Sequence, residues 1–133
     1  MEERGFSFVE LLVVVGIVGI LSAIAVPQFS EFRKNAYNAA ASSDLRNAAT
    51  AEEAYYALNE EYLSCQNESC IRSADGTSGL PGVKAISSTV NIKMVADNEN
   101  FTGEASSSKV SKIFFWNSEN GGMQEPRNVP VQE

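Results

Sequence analysis

The chain opens with an apolar block. From Leu11 to Val26, 16 residues carry no charge and, apart from Ser22, no polar side chain. Taken from Phe6 to Val26 the block is 21 residues, about 31 Å of helix, enough to cross the hydrocarbon core of a bilayer. One acid, Glu10, sits near its beginning. A carboxylate there costs roughly 2.5–3.5 kcal/mol at the bilayer centre and less toward the interface. After Pro27 the pattern becomes amphipathic but stays helical. No Gly or Pro occurs from Gln28 to Leu63, and Ala41, Leu45, Ala48, Ala51, Tyr55, Leu58 and Tyr62 recur at three- and four-residue steps, one stripe of a 3.6-period helix. The two patterns together predict one helix from Phe6 to about Glu60, roughly 80 Å long. Arg33, Lys34, Asp44, Arg46, Glu52 and Glu53 fall between the apolar positions and read mostly as a solvated face, with one or two left to pair across subunits.

Farther on the period drops to two. "SSTVNIKMVAD" alternates Val90, Ile92 and Met94; "NFTGEAS" is a shorter strand behind the turn-like "DNEN", Asp97 to Asn100; "KVSKIFFWN", Lys109 to Asn117, places Phe114 and Trp116 on one face. "SENGG" carries turn signals, and "DGTSGLPG", Asp75 to Gly82, reads as a loop. The fold class expected is therefore α+β: a long N-terminal helical spine packed on a small antiparallel β-sheet.

Composition narrows the chemistry. The 133 residues amount to one domain, with 10 basic and 17 acidic residues and a net charge of −7, which argues against nucleic acid as a partner, since phosphate binding needs a basic face. There is no His, so His-based catalysis is excluded. No nucleophile–base pair, glycine-rich phosphate loop or cysteine metal cluster is present, so neither an enzyme nor a cofactor is expected. "DNEN" lacks the spacing of a calcium loop. "NES" (Asn67 to Ser69) and "NFT" (Asn100 to Thr102) match the N-glycosylation pattern and read as chance occurrences.

Three readings of the apolar segment compete. A secretory signal peptide would be cleaved at the "SAIA" site of Ala23 and Ala25, but "MEERG" has two acids to one base, and Glu10 interrupts the apolar region. A plain membrane anchor leaves orientation open, because Arg4 precedes the segment while Arg33 and Lys34 follow it. The third reading rests on "GFSFVELLVVVGIVGILSAIAVPQF", which closely resembles the N-terminal signature of type IV pilins and their pseudopilin relatives. That resemblance implies cleavage after Gly5, removal of the leader 1–5, methylation of the new N-terminus at Phe6, and retention of the apolar segment. It implies that Glu10 neutralises the terminal ammonium of a neighbouring subunit, which is mostly protonated near neutral pH. It also implies local unwinding between Gly19 and Pro27 in a filament, although Gly16 and Gly19 equally suit close helix packing.

Under this reading the chain divides into a leader (1–5), a transmembrane and filament-core helix (6–27), an amphipathic continuation (28–63) and a small β-region (64–133). The first half of the spine would pack against neighbouring subunits and the second against its own domain. The expected partners are further copies of the chain, a prepilin peptidase that also methylates, the inner membrane, an assembly platform and its ATPases. The location passes from inner membrane to cell surface. Attachment, twitching motility and DNA uptake are family functions; rivals are a pseudopilin of a type II secretion system and an electron-conducting filament. Outside the cytoplasm, Cys65 and Cys70 of "CQNESC" are expected to form a disulfide where the helix ends. Many pilins bracket a longer C-terminal region with their cysteines, so no adhesive role is carried over. The leader also holds acids where family leaders are usually basic, and "FSFVE" stands for the more familiar "FTLIE".

Of the aromatics Phe29, Phe32, Tyr37, Tyr55, Tyr56 and Tyr62, the first three lie in "VPQFSEFRKNAYNAAASSDLRN", Val26 to Asn47, which resembles pilins of metal-reducing bacteria. Ring contact needs centroids within about 4.5–7 Å. Along a helix, Phe29 to Tyr37 is about 12 Å and Tyr37 to Tyr55 about 27 Å, so one subunit holds no continuous ring path. Core and interface packing is the reading preferred.

Overall fold

A computed structural model describes residues 5–128; the first four leader positions, Arg4 among them, and the end of the expected β-region lie outside the described residues. The chain separates into two compact units, one ending at Arg33 and the other beginning at Lys34. Helix α1 is Phe8–Asn59, 52 residues, with Pro27 inside it. The helix remains uninterrupted across Gly16, Gly19 and Pro27.

Within the second unit, α1 packs on a sheet of six short antiparallel strands: β1 (Cys65–Gln66), β2 (Val90–Ala96), β3 (Phe101–Ser107), β4 (Lys112–Asn117), β5 (Gly122–Met123) and β6 (Arg127–Asn128). Their order is β1-β2-β3-β4-β5, with β6 also pairing β4. Alternation sets the faces. Met94, Gly103, Trp116 and Met123 form one inward row across four strands, and Ile92, Ala105 and Phe114 form the next. On the outer face Lys93 lies opposite Glu104, a favourable charge pairing in a sheet. Ala41, Leu45, Ala48, Ala49 and Ala51 of α1 close over the inner rows, together with Leu80 and Phe101. Alanines at these positions let the helix approach the sheet closely.

The strand expectations hold with shifted edges. β4 begins at Lys112 rather than Lys109, because the Val110 amide turns back to donate to the Ser107 carbonyl at 3.2 Å. "DNEN" is a turn, closed by the Asp97 amide donating to the Asn100 carbonyl at 2.7 Å. Two-residue β1 leaves most of the β2 edge open. Side chains close it on either side: the Asn67 Oδ1 accepts the Ile92 amide, and the Ser64 hydroxyl oxygen accepts the Ala96 amide, both at 2.9 Å. Those contacts block strand addition at an edge that would otherwise invite it.

The helical continuation expected through residue 63 stops earlier. The Glu60 amide still donates to the Tyr56 carbonyl, at 2.8 Å, but Glu60 itself takes φ 60°, the left-handed conformation that ends a helix. Cys65 and Cys70 then form a disulfide, with Cα atoms 5.1 Å apart. It joins β1 to the single 3-10 turn Asn67–Cys70. Replacing both cysteines by serine should cost about 2 kcal/mol by the loop-closure estimate. A lower melting temperature of the full chain in detergent, followed by the fluorescence of Trp116, checks this; an unchanged melt would mean the turn holds without its bridge.

Candidate functional site

Two places carry the residues of interest, one in each unit. In the first, the Leu11 amide donates to the Ser7 carbonyl at 3.2 Å and opens α1. The Glu10 carboxylate reaches back to accept the Ser7 amide at 2.9 Å. Ser7 and Glu10 thus stand as the first and fourth residues of an S-x-x-E helix start, and the acid lies where the helix dipole favours it. Glu10 therefore has a local role beside the charge role expected of it. Gly5 and Phe6, the expected processing site, lie just ahead of this turn, and Phe6 is 88% exposed.

Behind Glu10 the helix is apolar on every side. Each large apolar residue from Leu11 to Val26 is at least half exposed, so none of the described residues covers the segment. A helix that is hydrophobic all round needs an apolar surrounding, and this one is long and apolar enough to cross a membrane. A Cβ placed on Gly16 or Gly19 would meet open space among the described residues. Phe29 and Phe32 are also exposed, at 65% and 69%.

In the second unit, Tyr56 stacks on Tyr62 with centroids 4.6 Å apart, and Tyr62 meets Phe101 at 4.9 Å. Tyr55 packs against the core, and Tyr37 is half-buried. The rings thus gather at the end of α1 as packing. Phe101, which seals the cluster, was not among the expected aromatics.

Two expectations along the stripe need correction. Leu58 is 73% exposed, and Glu52, assigned to the solvated face, is fully buried. From Ala48 a step of three reaches Ala51 and a step of four reaches Glu52, and both are buried. The stripe continues through Glu52 to Tyr55, which swings Leu58 outward. One Glu52 oxygen accepts the Leu63 amide at 2.9 Å, while the other has no partner. Burial pushes this carboxyl up to about 7, against the partial relief of the Leu63 amide and reinforced by neighbouring Glu53. Asp44 is likewise not merely solvated: its carboxylate accepts the Ser87 amide at 2.9 Å and ties the loop before β2 to the helix.

Comparison with known proteins bears on the first site. A family described as "Prokaryotic N-terminal methylation motif" matches residues 1–26, the segment that contains Gly5, Phe6 and Glu10. The chain carries that N-terminal methylation motif. The type IV major pilin protein PilA of Myxococcus xanthus is 36% identical over 67 residues, covering 50% of this chain and 30% of that protein. The type IV wide pilus major component PilA4 of Thermus thermophilus is 34% identical over 65 residues, 49% of this chain and 50% of that one. Prepilin peptidase-dependent protein D of Escherichia coli is 25% identical over 133 residues, 98% of this chain and 86% of its own length. The chain thus spans only about a third to a half of the first curated relatives it matches.

Proposed function

We propose that the chain is a pilin, a structural subunit that polymerises through its N-terminal helix into type IV pilus filaments. The observation that carries this reading is the helix from Phe8 to Val26, apolar on every side and uncovered by the described residues, with one acid in its first turn. In the membrane, lipid covers it; in a filament, the same segments of other subunits do. Both surroundings satisfy the same surface, so a subunit can pass from one to the other without exposing it to water.

Cleavage after Gly5 would create an α-ammonium on Phe6, one residue from the amide that Glu10 already holds. Ammonium and carboxylate are both poorly solvated in an apolar surrounding, and each is costly alone. Pairing the amine of an incoming subunit with Glu10 of a seated one offsets both costs and fixes their axial offset. Gly16, Gly19 and Pro27 are weak helix positions that would let the packed segment unwind locally, since only lipid demands an unbroken helix. The partners of this reading are copies of the chain, a prepilin peptidase and methyltransferase, an inner-membrane platform and ATPases. The precursor is a single-pass inner-membrane protein and the product an extracellular filament supporting attachment, twitching or DNA uptake.

The test is the intact mass and N-terminal peptide of protein sheared from the cell surface. A chain beginning at N-methylated Phe6 is expected. One beginning at Val26 would mean a discarded signal peptide and no filament role. Gly5→Val should block maturation, because a branched side chain replaces the residue next to the scissile bond. Full-length precursor held in the membrane, read by mass, is the outcome expected; normal cleavage of this variant would place the processing site elsewhere.

A further inference from the structure

We propose that Glu52 is a proton-operated clasp: with its carboxyl neutral it holds the turn from Glu60 to Leu63 against α1, and its ionisation loosens the packing at that end of the sheet domain. The geometry has four parts. Glu52 is fully buried on the inner face of α1 among Ala48, Ala49 and the core. One of its oxygens takes the Leu63 amide, a contact across 11 residues that holds the chain reversal. Its second oxygen has no partner. Tyr62, one residue from that amide, bridges Tyr56 and Phe101, so whatever moves Leu63 disturbs the ring cluster.

Apart from the Leu63 amide, which favours the carboxylate, the surroundings of Glu52 favour its neutral form. On α1 itself, adjacent Glu53 adds a like charge, and the Tyr62 hydroxyl from the turn donates to Glu53 at 3.3 Å rather than to Glu52. Among the described residues, no lysine or arginine contributes to holding the charge. A buried carboxyl left with one unpaired hydroxyl costs far less than a buried carboxylate with one unpaired oxygen. Neutral Glu52 keeps its seat; ionised Glu52 gains by turning toward water, which releases Leu63 and unseats Tyr62. The cluster built on α1 and the turn would open first, while the β2–β3–β4 ladder stays paired.

The pH dependence follows in sign. The folded chain binds this proton more tightly than the unfolded chain does, so the clasp's contribution is full below the ordinary value of 4.5 and is lost as pH rises through about 7. The chain has no histidine, both cysteines are bonded to each other, and the terminal amine of the mature chain lies in the other unit.

The proposal does not depend on filament assembly and is tested on the full chain in detergent micelles. Infrared difference spectra of the wild type should show a protonated buried carboxyl at pH 5.5 that vanishes by pH 8.5 and is absent in Glu52→Gln. Over the same range the melting temperature of the wild type, followed by tyrosine circular dichroism, should fall on the order of 10 °C. That of Glu52→Gln, which keeps the acceptor for Leu63 without a proton to lose, should stay level. A Glu52 carboxyl already ionised at pH 5.5 overturns the proposal, as does a variant whose melting temperature falls in parallel with the wild type. Should Glu52→Gln not fold, the same spectra of Glu10→Gln assign the band: its persistence there supports the proposal, and its loss overturns it.

Discussion

Glu10→Val is expected to give a subunit that is cleaved and methylated but does not leave the membrane. Two effects act in the same direction. Valine removes an insertion cost of up to about 2.5–3.5 kcal/mol, which stabilises the membrane state, and it removes the partner of the incoming ammonium, which destabilises the filament. Since about 1.4 kcal/mol is tenfold in an equilibrium constant, surface filaments should fall on the order of a hundredfold, read as the ratio of sheared to membrane-bound protein. Normal filaments from this variant would sink the charge account of Glu10. The bond from the Ser7 amide to the Glu10 carboxylate supplies a competing explanation, in which the acid serves only to start the helix. Glu10→Gln separates the two. Its amide oxygen can still accept the Ser7 amide, as an S-x-x-Q start does, but it cannot neutralise an ammonium. Assembly of Glu10→Gln at the wild-type level would reduce Glu10 to a helix cap; failure like that of valine would assign its role to charge.

What could be read from the residues alone follows from how local each feature is. The apolar block and the alanine-rich stripe each repeat over many turns, so α1 was legible to within two residues at its start and one at its end. β2 and β3 announce themselves by alternation over seven residues each. β1, β5 and β6 are two residues long, and two residues carry no period. They exist because β2 and β4 offer them edges, a tertiary fact. Glu52 was misread for a different reason. Its position fits the buried stripe as well as Ala51 does, and its chemistry argued for the surface; nothing local says that the Leu63 amide will be waiting for it. Once Glu52 lies inside, Leu58 must point out.

The candidate site divides in the same way. Gly5, Phe6 and Glu10 belong to a contiguous motif whose spacing is the signal, and the matching family spans residues 1–26, which include them; the roles given to them belong to the proposed function. The ring cluster was half legible. Tyr55, Tyr56 and Tyr62 are helix and turn neighbours in sequence, but Phe101 joins them only through the sheet. That dependence on the sheet is where the fold is most exposed to single substitutions.

Gly103→Val should be severely damaging to the sheet domain. Gly103 sits in β3 between Met94 and Trp116, directly under α1. A Cβ there would lie 2.8 Å from Leu45 Cδ1, 2.8 Å from Met94 Sδ and 3.1 Å from Met94 Cε. Glycine in mid-strand weakens a sheet, and it is kept where another element comes too close for a side chain. The colliding atoms are the ends of flexible side chains, so Gly103→Ala should be tolerated at about 1–3 kcal/mol as Leu45 and Met94 shift. Valine adds two further methyls into a core in which Leu45 and Met94 are already fully buried. A loss of about 3 kcal/mol or more is expected, enough to lower the melting temperature of a domain this size on the order of 15 °C. The collision can be separated from a general intolerance of valine by removing its other half. Leu45→Ala alone opens a cavity and costs about 3 kcal/mol, yet combined with Gly103→Val it should cost clearly less than the two added together, because the new methyls occupy the space that Leu45 vacates. Strict additivity of the two changes in the melting of the full chain would mean that the helix does not rest on Gly103.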